Sequence, residues 1–170
     1  MDLISLVRSI PDFPKQGVIF RDITTLLKNK DALRELIGRM ADSLTGIKAD
    51  VIVSPEARGF IIGAALAYEL GVGFVVARKP GKLPGKVRSY AYGLEYGTDV
   101  LEMHEDAIEK GQRVVIADDL LATGGTSLAS IRLAEQAGGS VVAVRFAIEL
   151  TDLGGREVLR SYDVASAIVF

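Results

Sequence analysis

Between Lys30 and Leu44 the apolar residues Leu33, Leu36, Ile37, Met40 and Leu44 recur at steps of three and four, which places them on one face of a helix. The next pattern is different in kind. Asp50 to Ser54 reads Asp-Val-Ile-Val-Ser, a short buried strand, and is followed by an alanine-rich apolar helix from Arg58 to Leu70 that Gly71 ends. Gly73 to Ala77 is a second strand and closes a βαβ unit. The cycle then repeats with a strand over Arg113 to Ala117, a helix over Thr126 to Ala137 stopped by Gly138-Gly139, and a strand over Ser140 to Ile148. A last strand pattern runs from Asp163 to Val169. Alternating strands and helices predict an α/β fold, a mostly parallel sheet flanked by helices on both faces.

Two stretches interrupt this rhythm. Arg78 to about Val100 carries Pro80, Gly81, Pro84, Gly85, Gly93 and Gly97 among polar and aromatic residues and reads as a flexible lid loop or ribbon. Pro11 to Thr25 is turn-rich and precedes the first sheet unit, while Leu3, Leu6, Val7 and Ile10 ahead of it suggest a short amphipathic helix. Internal repeats and low-complexity linkers are absent. A chain of 170 residues, 49% hydrophobic and 25% charged, fits one domain over 1–170.

Charge and composition then exclude several chemistries. A net charge of -2 with mixed signs gives no basic face for nucleic acid or an anionic membrane. The chain contains no cysteine, which removes disulfides, thiolate metal sites and cysteine nucleophiles. The single histidine, His104, cannot build a multi-histidine metal site and reads as a surface helix residue. Met1 to Ile10 has neither the basic start nor the long apolar stretch of a signal peptide, and no apolar run reaches bilayer length. A cytoplasmic location is expected.

The most informative segment is Val114-Val-Ile-Ala-Asp-Asp-Leu-Leu-Ala-Thr-Gly-Gly-Thr126. It is an apolar strand that runs into two acids and then into a small-residue turn opening a helix. Such a turn lies at the carboxyl edge of a parallel sheet, where these folds bind ligands. Ala122, Thr123, Gly124, Gly125 and Thr126 can cradle a phosphate: the glycines let the backbone approach, their N–H groups converge, the threonines add hydroxyls, and the helix adds its positive end. No lysine follows the glycines, so the loop is unlike that of ATPases. Asp118 and Asp119, just before it, can accept hydrogen bonds from vicinal sugar hydroxyls and tolerate developing positive charge. An isolated Asp-Asp or Gly-Gly would more simply cap a turn or end a strand; the whole arrangement is hard to account for that way.

This segment resembles, residue for residue, the phosphoribosyl-pyrophosphate signature of the type I phosphoribosyltransferase family, whose core is Rossmann-like. Phe13-Pro14, Gly17 to Ile23, Glu56 to Phe60, Arg78 to Gly85, Leu94 to Gly97 and Ile148 to Leu150 are similar to segments of its adenine-using members and follow the family order. The resemblance implies a small N-terminal hood over 1–29 that binds the base, a lid within about 78–100, and transfer of a phosphoribosyl group to adenine with AMP and pyrophosphate as products. It implies that residues 122–126 hold the 5-phosphate, that Asp118 and Asp119 face the ribose hydroxyls, and that Arg58, Lys79, Lys82 and Tyr96 serve the pyrophosphate. Ile19 and Arg21 would contact the purine edge through their backbones, and Phe20 would stack on the ring. Glu95 would be the catalytic acid/base, a role that lid closure suits because desolvation raises a carboxyl pKa. Mg²⁺ is expected on the substrate diphosphate, with no dedicated protein metal site, and a homodimer is implied.

Two rivals share the phosphate loop. A transferase for hypoxanthine, guanine or xanthine would differ in its base contacts, and Gly17 to Ile23 with Leu94 to Gly97 argue against it. A non-catalytic sugar-phosphate sensor would be expected to carry a nucleic-acid-binding module or basic face.

Overall fold

The computed structural model describes residues 1–93 and 98–170. The chain opens with strands β1 (Arg8–Pro11) and β2 (Ile19–Asp22), an antiparallel pair, followed by helices α1 (Thr24–Leu27) and α2 (Lys30–Asp42). The central unit follows as β3 (Val51–Pro55), α3 (Arg58–Leu70) and β4 (Gly73–Ala77). An antiparallel pair, β5 (Val87–Gly93) and β6 (Thr98–His104), leads into β7 (Arg113–Leu121), α4 (Gly125–Gln136) and β8 (Ser140–Glu149). Helix α5 (Gly155–Val158) and strand β9 (Val164–Val169) complete the chain.

The main sheet has five strands in the order β4-β3-β7-β8-β9, every neighbouring pair parallel. Because successive side chains on a strand point to opposite faces, the sheet builds two cores. Ile52, Val115, Ala117, Ala143 and Ala147 pack under α2 and α3 on one face. Val51, Val53, Val114, Ile116, Val144 and Phe146 pack under α4 and the β5–β6 pair on the other. This double burial is why β3 reads as an unbroken apolar run, with all of its residues buried. Local signals set the boundaries. The Asn29 side chain accepts hydrogen bonds from the Asp31 and Ala32 amides and starts α2, and Gly71, in the left-handed region, ends α3.

The α/β class and the parallel sheet agree with the sequence pattern. Two local expectations do not. The amphipathic helix expected over residues 3 to 10 is a single 3-10 turn (Ile4–Leu6) running into β1; Leu3 and Val7 are buried as expected, but Arg8 pairs in register with Asp22 and draws the chain into a strand. His104 ends β6 instead of lying on a helix, its Nε2 2.8 Å from the Pro84 carbonyl oxygen. The described part of the stretch read as a lid loop or ribbon contains the antiparallel β5–β6 pair, preceded by the turns of residues 80–86.

Candidate functional site

Strand order decides where the site lies. After β3 the chain turns through α3 toward β4, and after β7 it turns through α4 toward β8, on the other side. The two turns therefore part company between adjacent strands and leave a crevice at their carboxyl ends, the place where open α/β sheets bind ligands. A cleft of about 380 Å³ occupies it, lined by Glu56, Ala57 and Arg58 from the first turn and by Asp118, Asp119 and residues 122–127 from the second.

The phosphate loop is built from short contacts. Gly124 caps α4 with a φ of 84°, a left-handed conformation that glycine adopts without steric cost. Behind it stands α5. A Cβ on Gly155 would lie 2.3 Å from the Ala122 carbonyl oxygen, so only glycine lets α5 support the loop at this distance. Helix α5 is itself anchored by Arg156, which forms an ion pair with buried Glu149 at the end of β8 and donates to the Val164 carbonyl at 2.9 Å.

Asp118 and Asp119 belong to β7, which extends beyond the predicted strand, and both are buried. The Asp119 amide donates to Asp118 Oδ1 at 2.8 Å. Burial, and then the neighbouring Asp119 carboxylate, push the Asp118 carboxyl well above the usual carboxylate range. Asp119 instead faces Arg58, whose Nε is 2.5 Å from its Oδ2. The Arg58 guanidinium also lies 5.5 Å from the centre of the Phe20 ring, so one cation spans the proposed ribose and base ends of the site.

The hood divides its three candidate residues by strand alternation. Phe20 faces Arg58 and meets Phe13 edge-on at 5.3 Å. Ile19 and Arg21 line a separate cavity of about 340 Å³ against residues 150–153 and Phe170. The Arg21 guanidinium is anchored there, 4.1 Å over the Phe170 ring and 2.5 Å from Ser9 Oγ. With its side chain held away from Phe20, Arg21 has its backbone to offer.

The pyrophosphate candidates are dispersed. Arg58 lines the cleft, whereas Lys79 and Lys82 do not. Lys79 forms an ion pair with Asp99 and lies 3.4 Å from the Tyr92 hydroxyl, and Lys82 is exposed. Glu95 and Tyr96 lie outside the described residues. Sequence reasoning missed Glu56 as an individual residue. It lines the cleft and accepts from the Lys79 amide at 2.5 Å. Burial works to raise its pKa, and the Lys79 amide with the Arg78 and Lys82 charges outweighs it, so the group titrates below its usual range. Its position beside Arg58, within a motif already singled out, was the available signal.

The sequence pattern of the phosphoribosyl transferase domain family matches residues 22–168. The adenine phosphoribosyltransferase of Alkaliphilus metalliredigens (strain QYMF) is 56% identical over 170 residues, all of both chains. The chain belongs to the adenine phosphoribosyltransferase family. The likeness extends to three dimensions. The crystal structure of the adenine phosphoribosyltransferase of Thermoanaerobacter pseudethanolicus ATCC 33223 is similar with a TM-score of 0.97 at 56% identity, covering 99% of this chain and 98% of that one. The Saccharomyces cerevisiae family member, whose structure holds D-2,5-dideoxy-2,5-imino-altritol 1,6-bisphosphate and adenine, is similar with a TM-score of 0.91 at 37% identity over 97% of this chain and 96% of that one. Both family likenesses span the hood as well as the sheet, since each covers nearly the whole chain.

Proposed function

We propose that the protein transfers the 5-phosphoribosyl group of phosphoribosyl pyrophosphate to adenine, giving AMP and pyrophosphate, a reaction of purine salvage. The observation that carries this reading is the cleft at the sheet's switch point, where the phosphate loop, two adjacent buried aspartates and Arg58 converge beside the hood. The full-length likeness to adenine phosphoribosyltransferases supports adenine as the base.

In this reading the loop amides and the Thr123 and Thr126 hydroxyls hold the 5-phosphate, which fixes the ribose above Asp118 and Asp119. The bond from the anomeric carbon to the pyrophosphate oxygen breaks with its electron pair on the leaving group, and a ring nitrogen of adenine forms the new bond. Positive charge that develops on the sugar is met by the aspartates, and the negative charge of the leaving group by Arg58. Lys79, Lys82 and Tyr96 are proposed to add to the pyrophosphate end, and Glu95 to take the proton that adenine gives up. Phe20 stacks on the base, while Ile19 and Arg21 offer backbone groups that distinguish a 6-amino from a 6-oxo purine.

Among the described residues no three acidic or histidine side chains converge into a metal cage. Asp118 and Asp119 are hard oxygen donors lining the cleft, a set that fits Mg²⁺ carried on the diphosphate with most of its shell supplied by substrate and water. When bound there, Mg²⁺ would neutralise the leaving diphosphate. A homodimer is part of the proposal, with Ile61 and Tyr68, seven residues apart on one face of α3 and exposed to 49% and 89%, as candidates for its interface. No described helix is long and apolar enough to cross a membrane, and the proposed place of action is the cytoplasm.

The test is product formation from phosphoribosyl pyrophosphate and Mg²⁺ with adenine, hypoxanthine, guanine, xanthine and orotate supplied separately. AMP from adenine alone is expected. Turnover of an oxopurine would reassign the base specificity, and no turnover with any base would favour a sensor of sugar phosphates. Omitting Mg²⁺ and measuring sedimentation of the free protein test the ion and the dimer.

A further inference from the structure

Tyr92, on β5, is buried and lies directly beneath the phosphate loop. A Cβ on Gly125 would come within 3.2 Å of its ring. Its hydroxyl oxygen is 3.1 Å from Asp99 Oδ2, 3.4 Å from Lys79 Nζ and 3.3 Å from Thr126 Oγ1. Lys79 and Asp99 are also paired directly with each other.

The donor and acceptor inventory makes this cluster directional. A carboxylate only accepts, an ammonium only donates, and a phenol has one proton and two acceptor positions. Tyr92 therefore gives its proton to Asp99, accepts from Lys79, and has one lone pair left for the Thr126 hydroxyl. In that state the Thr126 proton points away from a phosphate. A phosphate in the loop can receive it with the Tyr92–Thr126 hydrogen bond kept only if Tyr92 turns its own proton toward Thr126, and Asp99 can release the Tyr92 proton because Lys79 still satisfies it.

We propose that Tyr92 is a positioning residue of the phosphate loop, setting the direction of the Thr126 hydroxyl, and that the Lys79–Asp99 pair makes its reversal possible. The inference rests on the phosphate-binding role proposed for residues 122–126. It gives Lys79 a task at the 5-phosphate end, separate from any contact with pyrophosphate.

Ribose 5-phosphate, which carries no pyrophosphate, is the probe. Its affinity is measured by calorimetry for the wild type, Tyr92→Phe, Lys79→Met and the double variant, with thermal melting as the control for folding. Tyr92→Phe keeps the ring against Gly125 and should weaken binding about three- to tenfold, the effect of one lost hydrogen bond. Lys79→Met should weaken it similarly, because Asp99 then retains the Tyr92 proton, and the double variant should bind no worse than Tyr92→Phe. In turnover, Tyr92→Phe should raise KM for the sugar phosphate while leaving KM for adenine unchanged. Wild-type affinity in Tyr92→Phe, or additive losses in the double variant, would overturn the proposal. A wild type that binds ribose 5-phosphate but does not turn over adenine would remove the enzymatic reading and leave Tyr92 in its role. Failure of the wild type to bind the probe would remove the phosphate-binding role of residues 122–126 and the Tyr92 proposal with it.

Discussion

Arg58 Nε lies 2.5 Å from Asp119 Oδ2 and joins the turn after β3 to the end of β7. Each partner restrains the other across the crevice that their strands open. Replacing Arg58 by Ala removes the ion-pair partner of the buried Asp119 carboxylate, together with the cation proposed for the pyrophosphate. KM for phosphoribosyl pyrophosphate should rise at least about tenfold. Combining Arg58→Ala with Asp119→Asn should cost less than the sum of the two, and a double-mutant cycle on kcat/KM measures this. Arg58→Lys should not restore function, because an ammonium lacks the planar fork.

Asp118 should trade stability for function. Its folded-state pKa is raised by burial and then by Asp119. Below the ordinary carboxylate value both folded and unfolded chains hold the proton. As pH rises past that value the unfolded chain ionises first, so stability is lost toward neutral pH. Asp118→Asn cannot ionise. It should melt above the wild type at pH 7 by about 2–4 °C, the shift that 1 kcal/mol produces in a domain of this size. The gain should shrink toward pH 4, and turnover at neutral pH should fall because Asp118's carboxyl group has left the ribose end. Melting curves across pH, paired with initial rates, test both parts.

Gly155→Ala should damage the phosphate loop from behind. Its Cβ would lie 2.3 Å from the Ala122 carbonyl oxygen and 2.7 Å from Leu121 Cδ1, so backbone must move. A loss of about 1–3 kcal/mol is expected from overpacking, read by denaturant titration. KM for phosphoribosyl pyrophosphate should rise with adenine binding preserved. An unaltered KM would mean that the loop tolerates the displacement.

Acid should loosen the hood and the sheet's amino edge together. Hydrogen bonds from Thr24 and then from Arg8 lower Asp22 from 3.8 to about 2, and those from Arg113 do the same for Asp50. Carboxyls with depressed folded pKa values contribute stability above their unfolded value, and lose it as pH falls through the folded one. The melting temperature should therefore drop between pH 3.8 and about 2, and Asp22→Asn should flatten that part of the curve. High salt should reduce the Asp50 contribution, since that pair is substantially exposed.

Residues 58–70 and 73–77 could be delimited from sequence to the residue, and α2 to within a few residues, because apolar periodicity and glycine stops act locally. The phosphate loop was legible for the same reason: acids, small residues and helix start are contiguous in the chain. Resemblance marked Arg58, but its pairing with Asp119 joins positions far apart in sequence. Resemblance also marks Lys79, for the pyrophosphate, and the structure pairs its ammonium with Asp99 and Tyr92. Arg145 shows the limit most plainly. It interrupts an apolar strand and is almost fully buried, where its guanidinium donates to the carbonyls of Ser43, Val144 and Asp163 at 2.8–3.0 Å.

What the sequence determined by itself is what depends on neighbours along the chain: the α/β alternation, the helix ends, and a loop able to cradle a phosphate. Tertiary structure decided what depends on neighbours across it. Strand order put the two turns side by side, α5 came to support the phosphate loop, and Tyr92 came to share its hydroxyl among Asp99, Lys79 and Thr126. Periodicity records which way a side chain points. It does not record which distant group that side chain will meet, because the meeting is set by how sheets and helices pack and not by local conformational preference.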